Sequence, residues 1–134
     1  MDLAALRHLL VSKPGATEGQ PFGPDVFVYK VGGRMFALFA PDSPARITLK
    51  LEPLHGQLLR AQNASVLPGY HMNKDHWNTV VLDGGVVDDE LADWIDESYS
   101  LVVERLPRRE RERLPRSGQR SSDNAWAYCK KQPA

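Results

Sequence analysis

The chain has a single cysteine, Cys129, among 134 residues. No intrachain disulfide can form, which fits a reducing compartment. No apolar run approaches the ~20 residues that span a bilayer, and the first residues lack the basic region, apolar stretch and small-residue cleavage site of a secretory signal. Net charge is also missing: 17 Lys and Arg balance 17 Asp and Glu, so the chain as a whole exerts no strong general pull on nucleic acid. There is no G-x-S-x-G elbow, phosphate loop or dinucleotide fingerprint. Gly15, Gly19 and Gly23 recur every four residues within a loop-like stretch and read as turn chemistry. These absences argue against a disulfide scaffold, a membrane protein and the commoner nucleotide-dependent and hydrolytic enzymes. They predict a cytoplasmic protein with no membrane partner, no cofactor and no enzymatic activity.

What is present is ordinary in bulk and uneven in distribution. Hydrophobic residues make up 42% and charged residues 25% of the chain, enough for one domain with its own core. Residues 1–104 carry 8 Lys and Arg against 14 Asp and Glu, whereas residues 105–134 carry 9 against 3. An acidic body over residues 1–106 is thus followed by a basic, polar tail over 107–134, expected to be largely mobile and suited to interaction. Trp126 and Tyr128 offer local docking points for it. Cys129 lies between this tail's lysines and aromatics without a histidine partner, a poor setting for a catalytic thiol.

Periodicity sets out the elements. Leu3, Leu6, Leu9 and Leu10 have helical spacing, stopped at Lys13-Pro14-Gly15. Residues 16–25 read as loop. Val26–Val31 and Arg34–Phe39 are strands joined by Gly32-Gly33, a strong two-residue hairpin signal. Ala45–Lys50 alternates as a third strand. Pro53–Asn63 reads as a helix with Leu54, Leu58 and Leu59 on one face. A short strand at Ser65–Leu67 and another at Asn78–Leu82 follow. A long helix then opens near a capping Asp88, with Asp89, Glu90 and Asp93 in its first turns and Arg105 near its end, where each sign is favoured by the helix dipole. Leu91, Trp94, Ile95, Ser98, Val102 and Leu106 mark its buried face. The predicted order is α-β-β-β-α-β-β-α: an α+β two-layer sandwich, antiparallel sheet on one side and helices on one face.

The densest chemistry lies in Pro68-Gly69-Tyr70-His71-Met72-Asn73-Lys74-Asp75-His76-Trp77-Asn78-Thr79-Val80. Together with Pro21-Phe22-Gly23, Arg34–Leu38, Leu49-Lys50 and Ile95–Val102, this run resembles the MmcQ/YjbR family of small bacterial proteins. The likeness covers about residues 1–106 and leaves the tail outside. It implies a frataxin-like fold and DNA binding through a double wing of β-hairpins.

The same residues support two readings. As a ligand surface, Lys74 would meet a phosphate, Asn73 and Asn78 would donate to phosphates or base edges, and Trp77 would stack on a base. As a structural corner, Trp77 would fill the space between sheet and helix while His71 and Asn78 satisfy turn carbonyls. Strand alternation puts Asn78 and His76 with Val80 on the core side, Trp77 opposite, and offers Ser98 and Tyr99 as partners for the core-side pair. His71, Asp75 and His76 lack a zinc spacing, and the first helix lacks the carboxylates an iron site needs, so no metal is expected. Asp88, Asp89, Glu90 and Asp93 read as helix-start charges rather than acid–base catalysts.

The resulting expectation is a weak, salt-sensitive, backbone-dominated interaction with double-stranded DNA. Its candidate contacts are Lys30, Arg34, Lys50, His71, Asn73, Lys74, His76 and Trp77, helped by tail residues Arg108, Arg109, Arg111 and Arg113. Local pairing of those arginines with Glu110 and Glu112 is the plainer reading of the tail. The alternative function is a protein- or ligand-binding module with a groove lined by Phe22, Tyr70, His71 and Trp77.

Overall fold

A computed structural model describes residues 2–42, 44–69, 73 and 75–114. Cys129, Trp126 and Tyr128, and with them Arg116 and Arg120, lie outside the described residues, as do Tyr70, His71 and Lys74. Six strands form one antiparallel sheet: β1 (Thr17–Gly19), β2 (Phe27–Val31), β3 (Arg34–Ala40), β4 (Arg46–Lys50), β5 (Val66–Pro68) and β6 (Trp77–Val81), in spatial order β1-β2-β3-β4-β6-β5. Helices α1 (Leu3–Val11), α2 (Pro53–Gln62) and α3 (Asp88–Glu104) cover one face, and a short α4 (Arg108–Glu112) follows. The α+β antiparallel architecture read from the sequence is the architecture observed. Among the described residues no helix is long and apolar enough to cross a membrane.

The covered face explains the alternation. Tyr29, Phe39, Ile47, Leu49 and Val80 point to one side and are fully buried, meeting Leu6 and Leu10 of α1, Leu59 of α2 and Leu91, Ile95 and Val102 of α3. Register follows from that burial, because a one-residue slip would turn each of these side chains to the other face. The opposite face carries Val28, Leu38, Thr48 and Thr79, the last two joined hydroxyl to hydroxyl at 2.9 Å.

Several details depart from the sequence reading. Residues 17–19 form an edge strand paired with β2, Thr17 opposite Lys30 and Gly19 opposite Val28. All three are exposed, so no apolar alternation betrays the strand. It is held instead by charge: Arg7 Nε and Nη2 donate to Glu18 at 3.1 and 2.9 Å, Tyr29 Oη donates to the same carboxylate, and the guanidinium lies 4.3 Å from the Phe27 ring centroid. The hydrogen bonds from Arg7 hold the Glu18 carboxyl below its usual range, reinforced by the Tyr29 hydroxyl and opposed by partial burial.

The long helix begins one residue earlier than a capping Asp88 would allow. Val87 occupies the N-cap without a side-chain bond, and Asp88, Asp89 and Glu90 fill the first turn, where the dipole favours them. In α2 the three leucines part company: Leu59 is buried, while Leu54 and Leu58 face outward. Of the tail, the described residues 107–114 contain α4, and Leu114 packs against the core.

The hairpin at Gly32-Gly33 forms as expected, with both residues at positive φ (59° and 80°). Gly32 is constrained twice, because a Cβ there would lie 2.7 Å from Leu106 Cδ2. Gly32→Ala should therefore destabilise by about 2 kcal/mol, combining left-handed backbone strain with crowding. Gly33→Ala, with nothing near its Cβ, should show the backbone part alone, about 1 kcal/mol; chemical denaturation of both variants separates the two contributions.

Candidate nucleic-acid interface

The hairpin, the end of β4, the start of β6 and the last turns of α3 meet at one end of the sheet. Antiparallel pairing sets Lys50 directly opposite Trp77. A bulge in β3 does the rest. Tyr29 pairs with Ala37 but Lys30 pairs with Met35, which leaves Phe36 as the extra residue. Its carbonyl accepts from Ser98 Oγ at 2.6 Å, and the same hydroxyl accepts from the Lys50 backbone N–H at 2.8 Å. Ser98 is fully buried. One hydroxyl thus pins α3 to β3 and β4, two of the three strands that carry the site.

The outcome is an open cavity of about 290 Å3 lined by Arg34, Met35, Lys50, Trp77, Val102 and Arg105. Three cations share it with an indole, a thioether and a valine. Among the described residues, none of the three cations has a carboxylate within ion-pair distance. Lys50 registers the crowding. Partial burial lowers its pKa most, repulsion from Arg105 and then Arg34 lowers it further, and Glu52 offsets only part of this. An anion in the cavity would relieve that repulsion.

The sequence candidates fall into distinct places. Arg34, Lys50 and Trp77 come together, joined by Arg105, which the sequence marked only as a charge suited to a helix end and as one of the tail's basic residues. Lys30 instead lines a different cavity, about 490 Å3, with Thr17, Glu18 and Pro21 at the β1 edge. Asn73 builds the turn before β6: its side-chain oxygen accepts from Asp75 N at 2.9 Å and its carbonyl accepts from Trp77 N at 2.9 Å. The His76 carbonyl accepts from Leu51 N at 2.8 Å, while its side chain is half-buried. His71 and Lys74 are outside the described residues.

Asn78 is a core residue. It is fully buried, accepts from Arg60 of α2 and donates to the His76 carbonyl at 3.3 Å. Its partner is therefore Arg60 rather than Ser98 or Tyr99. Gly56 makes room for this, since a Cβ there would sit 2.9 Å from Asn78 Nδ2. Tyr99 donates to the Pro14 carbonyl and sets its ring edge-on to Phe36 at 5.4 Å. Of the tail arginines, Arg108 pairs with Glu112 at 2.9 Å, Arg113 approaches Glu110 at 4.0 Å and Arg111 donates to the Glu104 carbonyl at 3.2 Å. Phe22 is exposed and does not line the Trp77 cavity. Among the described residues no cluster of three or more His, Cys, Asp or Glu could hold a metal.

The cavity residues run from Arg34 to Arg105, and the YjbR family model matches residues 11–101 of the chain, a span that holds Arg34, Met35, Lys50 and Trp77 and ends before Val102 and Arg105. The chain belongs to the YjbR family. It is 34% identical over 116 residues to YjbR of Escherichia coli strain K12, spanning 85% of this chain and 98% of that one. It is 39% identical over 98 residues to YbdF of Escherichia coli O157:H7, spanning 70% and 78%. The crystal structure of the Deinococcus radiodurans protein DR2400, a DUF419 domain, is similar with a TM-score of 0.75 at 38% identity, covering 82% of this chain and 85% of that one. A Pseudomonas syringae crystal structure gives 0.66 at 27% identity, covering 75% and 98%.

Proposed function

We propose that this YjbR-family chain is a non-enzymatic cytoplasmic protein that binds DNA through its sugar–phosphate backbone, using the end of the sheet around Arg34, Lys50 and Arg105. The observation that carries this reading is the convergence of three cations, without a carboxylate partner among the described residues, beside Trp77. Position along α3 supports it. The helix starts with Asp88, Asp89 and Glu90 and ends with Arg105 at the cavity, so these three carboxylates lie a helix length from it, while Glu52 acts on Lys50 more weakly than the two arginines do. Repulsion from the carboxylates at the start of α3 is screened at that distance, because fields from exposed charges fade within about 10 Å at ordinary salt.

The lowered pKa of Lys50 fits binding better than catalysis. Its causes are burial and neighbouring cations, and a bound phosphate reverses the second. The hairpin at Gly32-Gly33 and the turn around Asn73 flank the cavity and would act as the two wings. A labelled random duplex, followed by fluorescence anisotropy, tests the reading. Three neutralised phosphates predict a slope of log K against log salt of about −2.7. Absence of saturation at micromolar protein in ~50 mM salt would reject it.

A further inference from the structure

We infer that the cavity between Arg34, Lys50, Arg105 and Trp77 seats one unpaired nucleotide, its phosphate on the three cations and its base against the indole. This inference rests on the phosphate-binding reading and specifies the ligand. Backbone contacts alone need only exposed cations on a convex surface. Here the cations ring a concave site with an apolar wall, formed by Trp77, Met35 and the buried Val102. Neither half suits the other without a ligand that has both characters. An anion alone leaves the indole and thioether facing water, and an apolar ligand alone leaves three cations repelling one another. A nucleotide presents a dianionic or monoanionic phosphate and a flat π-face within one small unit.

Size and shape narrow the choice. At about 290 Å3 the cavity lies at the small end of ligand pockets, near 300 Å3. It therefore admits one nucleotide unit and not a stacked pair. The bases of an intact duplex are stacked and paired and cannot turn a face into a recess, whereas unpaired bases stack readily on aromatic side chains. The walls are also set in advance. Trp77 lies in β6, Arg34 and Met35 in β3, Lys50 in β4 with its N–H held by Ser98, and Val102 in α3. Such a frame keeps the ligand from having to organise the site. The nucleotide is either free in solution or the unpaired residue of a strand; the recognition chemistry is common to both.

Calorimetric titration of the full-length protein with adenosine 5′-monophosphate, inorganic phosphate and adenosine tests the inference. The nucleotide should bind at least about 10-fold tighter than either fragment, from the stacking contribution added to the phosphate's. Trp77→Leu should bring nucleotide affinity down to that of inorganic phosphate, and Trp77→Phe should retain most of it. Base protons should show intermolecular NOEs to the Trp77 indole in the unaltered protein, a readout independent of how the variants fold. A 5′-phosphorylated single strand binding more tightly than the free nucleotide, with a blunt duplex weaker than both, assigns the unit to nucleic acid; equal affinity for the single strand and the free nucleotide assigns it to the small molecule. Nucleotide binding no tighter than phosphate, or NOEs absent from Trp77, overturns the inference. Salt-dependent duplex binding that survives that result leaves the DNA-backbone reading standing, and loss of both removes both.

Discussion

Ser98→Ala should lower the unfolding free energy by about 3 kcal/mol, within a range of roughly 2–5, because it strands two backbone groups at once, one buried and one partly buried. The hydroxyl donates to the Phe36 carbonyl at 2.6 Å and accepts from Lys50 N at 2.8 Å. Neither group has an easy substitute. Phe36 is the bulged residue of β3, out of step with β2, and Ser98 has no exposure through which water could enter. In urea the midpoint should fall with an unchanged m-value, the sign of a change in stability rather than in compactness. Tyr99→Phe is the comparison. It removes a single hydroxyl that donates to the Pro14 carbonyl from a half-buried position, so a loss of about 1 kcal/mol is expected. A Ser98→Ala loss no greater than that of Tyr99→Phe would mean that the bulge and Lys50 N find other partners, and that Ser98 is not the pin between α3 and the site.

This residue also marks the limit of what the sequence could tell. Ser98 was legible as a member of the buried face of α3, from its spacing with Leu91, Trp94 and Val102. Its two partners were not, because they depend on a bulge at Phe36 that no local pattern announces: Arg34–Phe39 reads as an uninterrupted strand. The sheet was readable wherever one face is apolar, as in Ile47, Leu49 and Val80, and at Gly32-Gly33, where positive φ selects glycine. It was unreadable at Thr17–Gly19, whose exposed residues are held by Arg7 and Glu18 across eleven positions. Asn78 shows the same division. Alternation placed it on the core side, but its partner, Arg60, comes from α2 and was chosen by how that helix packs.

The cavity was legible only in parts. Arg34, Lys50 and Trp77 stood out one by one as a charge or an aromatic near a loop. Their meeting depends on the pairing of Lys50 with Trp77 and on where α3 ends, which are long-range facts. Arg105 satisfied a local explanation, a positive charge at a helix C-terminus, and was otherwise grouped with the basic tail rather than with Arg34, Lys50 and Trp77. Asn73 carries a structural task that the sequence reading did not assign. Its side-chain oxygen accepts from the Asp75 N–H inside the turn, while the amide N–H2 is the group that would face a phosphate.

Lys50→Glu should separate stability from binding in opposite directions. In the unbound protein Lys50 is held between Arg105 and Arg34, and both push its pKa down after burial has done so. A carboxylate at that position would pair with the same guanidiniums. Exposed ion pairs are worth about 0.2–1 kcal/mol, so the variant should be as stable as the parent or slightly more so. Phosphate binding should fall by about 100-fold, through loss of a charge-assisted contact worth roughly 1.5–3 kcal/mol and the arrival of a like charge. The pH dependence follows the same sign. A lysine whose folded pKa lies below its unfolded value binds fewer protons when folded, so stability rises with pH between the folded pKa and about 10.4. Bound phosphate favours the charged amine, so affinity should weaken as pH climbs through the folded pKa of Lys50 from below. Binding in the pH range where unbound Lys50 is partly deprotonated should accordingly take up protons, seen as a dependence of the calorimetric heat on the buffer's ionisation enthalpy, and this uptake should vanish in Lys50→Glu. A variant that loses stability and binding together would place Lys50 in the scaffold. Unchanged phosphate affinity would mean that Arg34 and Arg105 hold the anion without it.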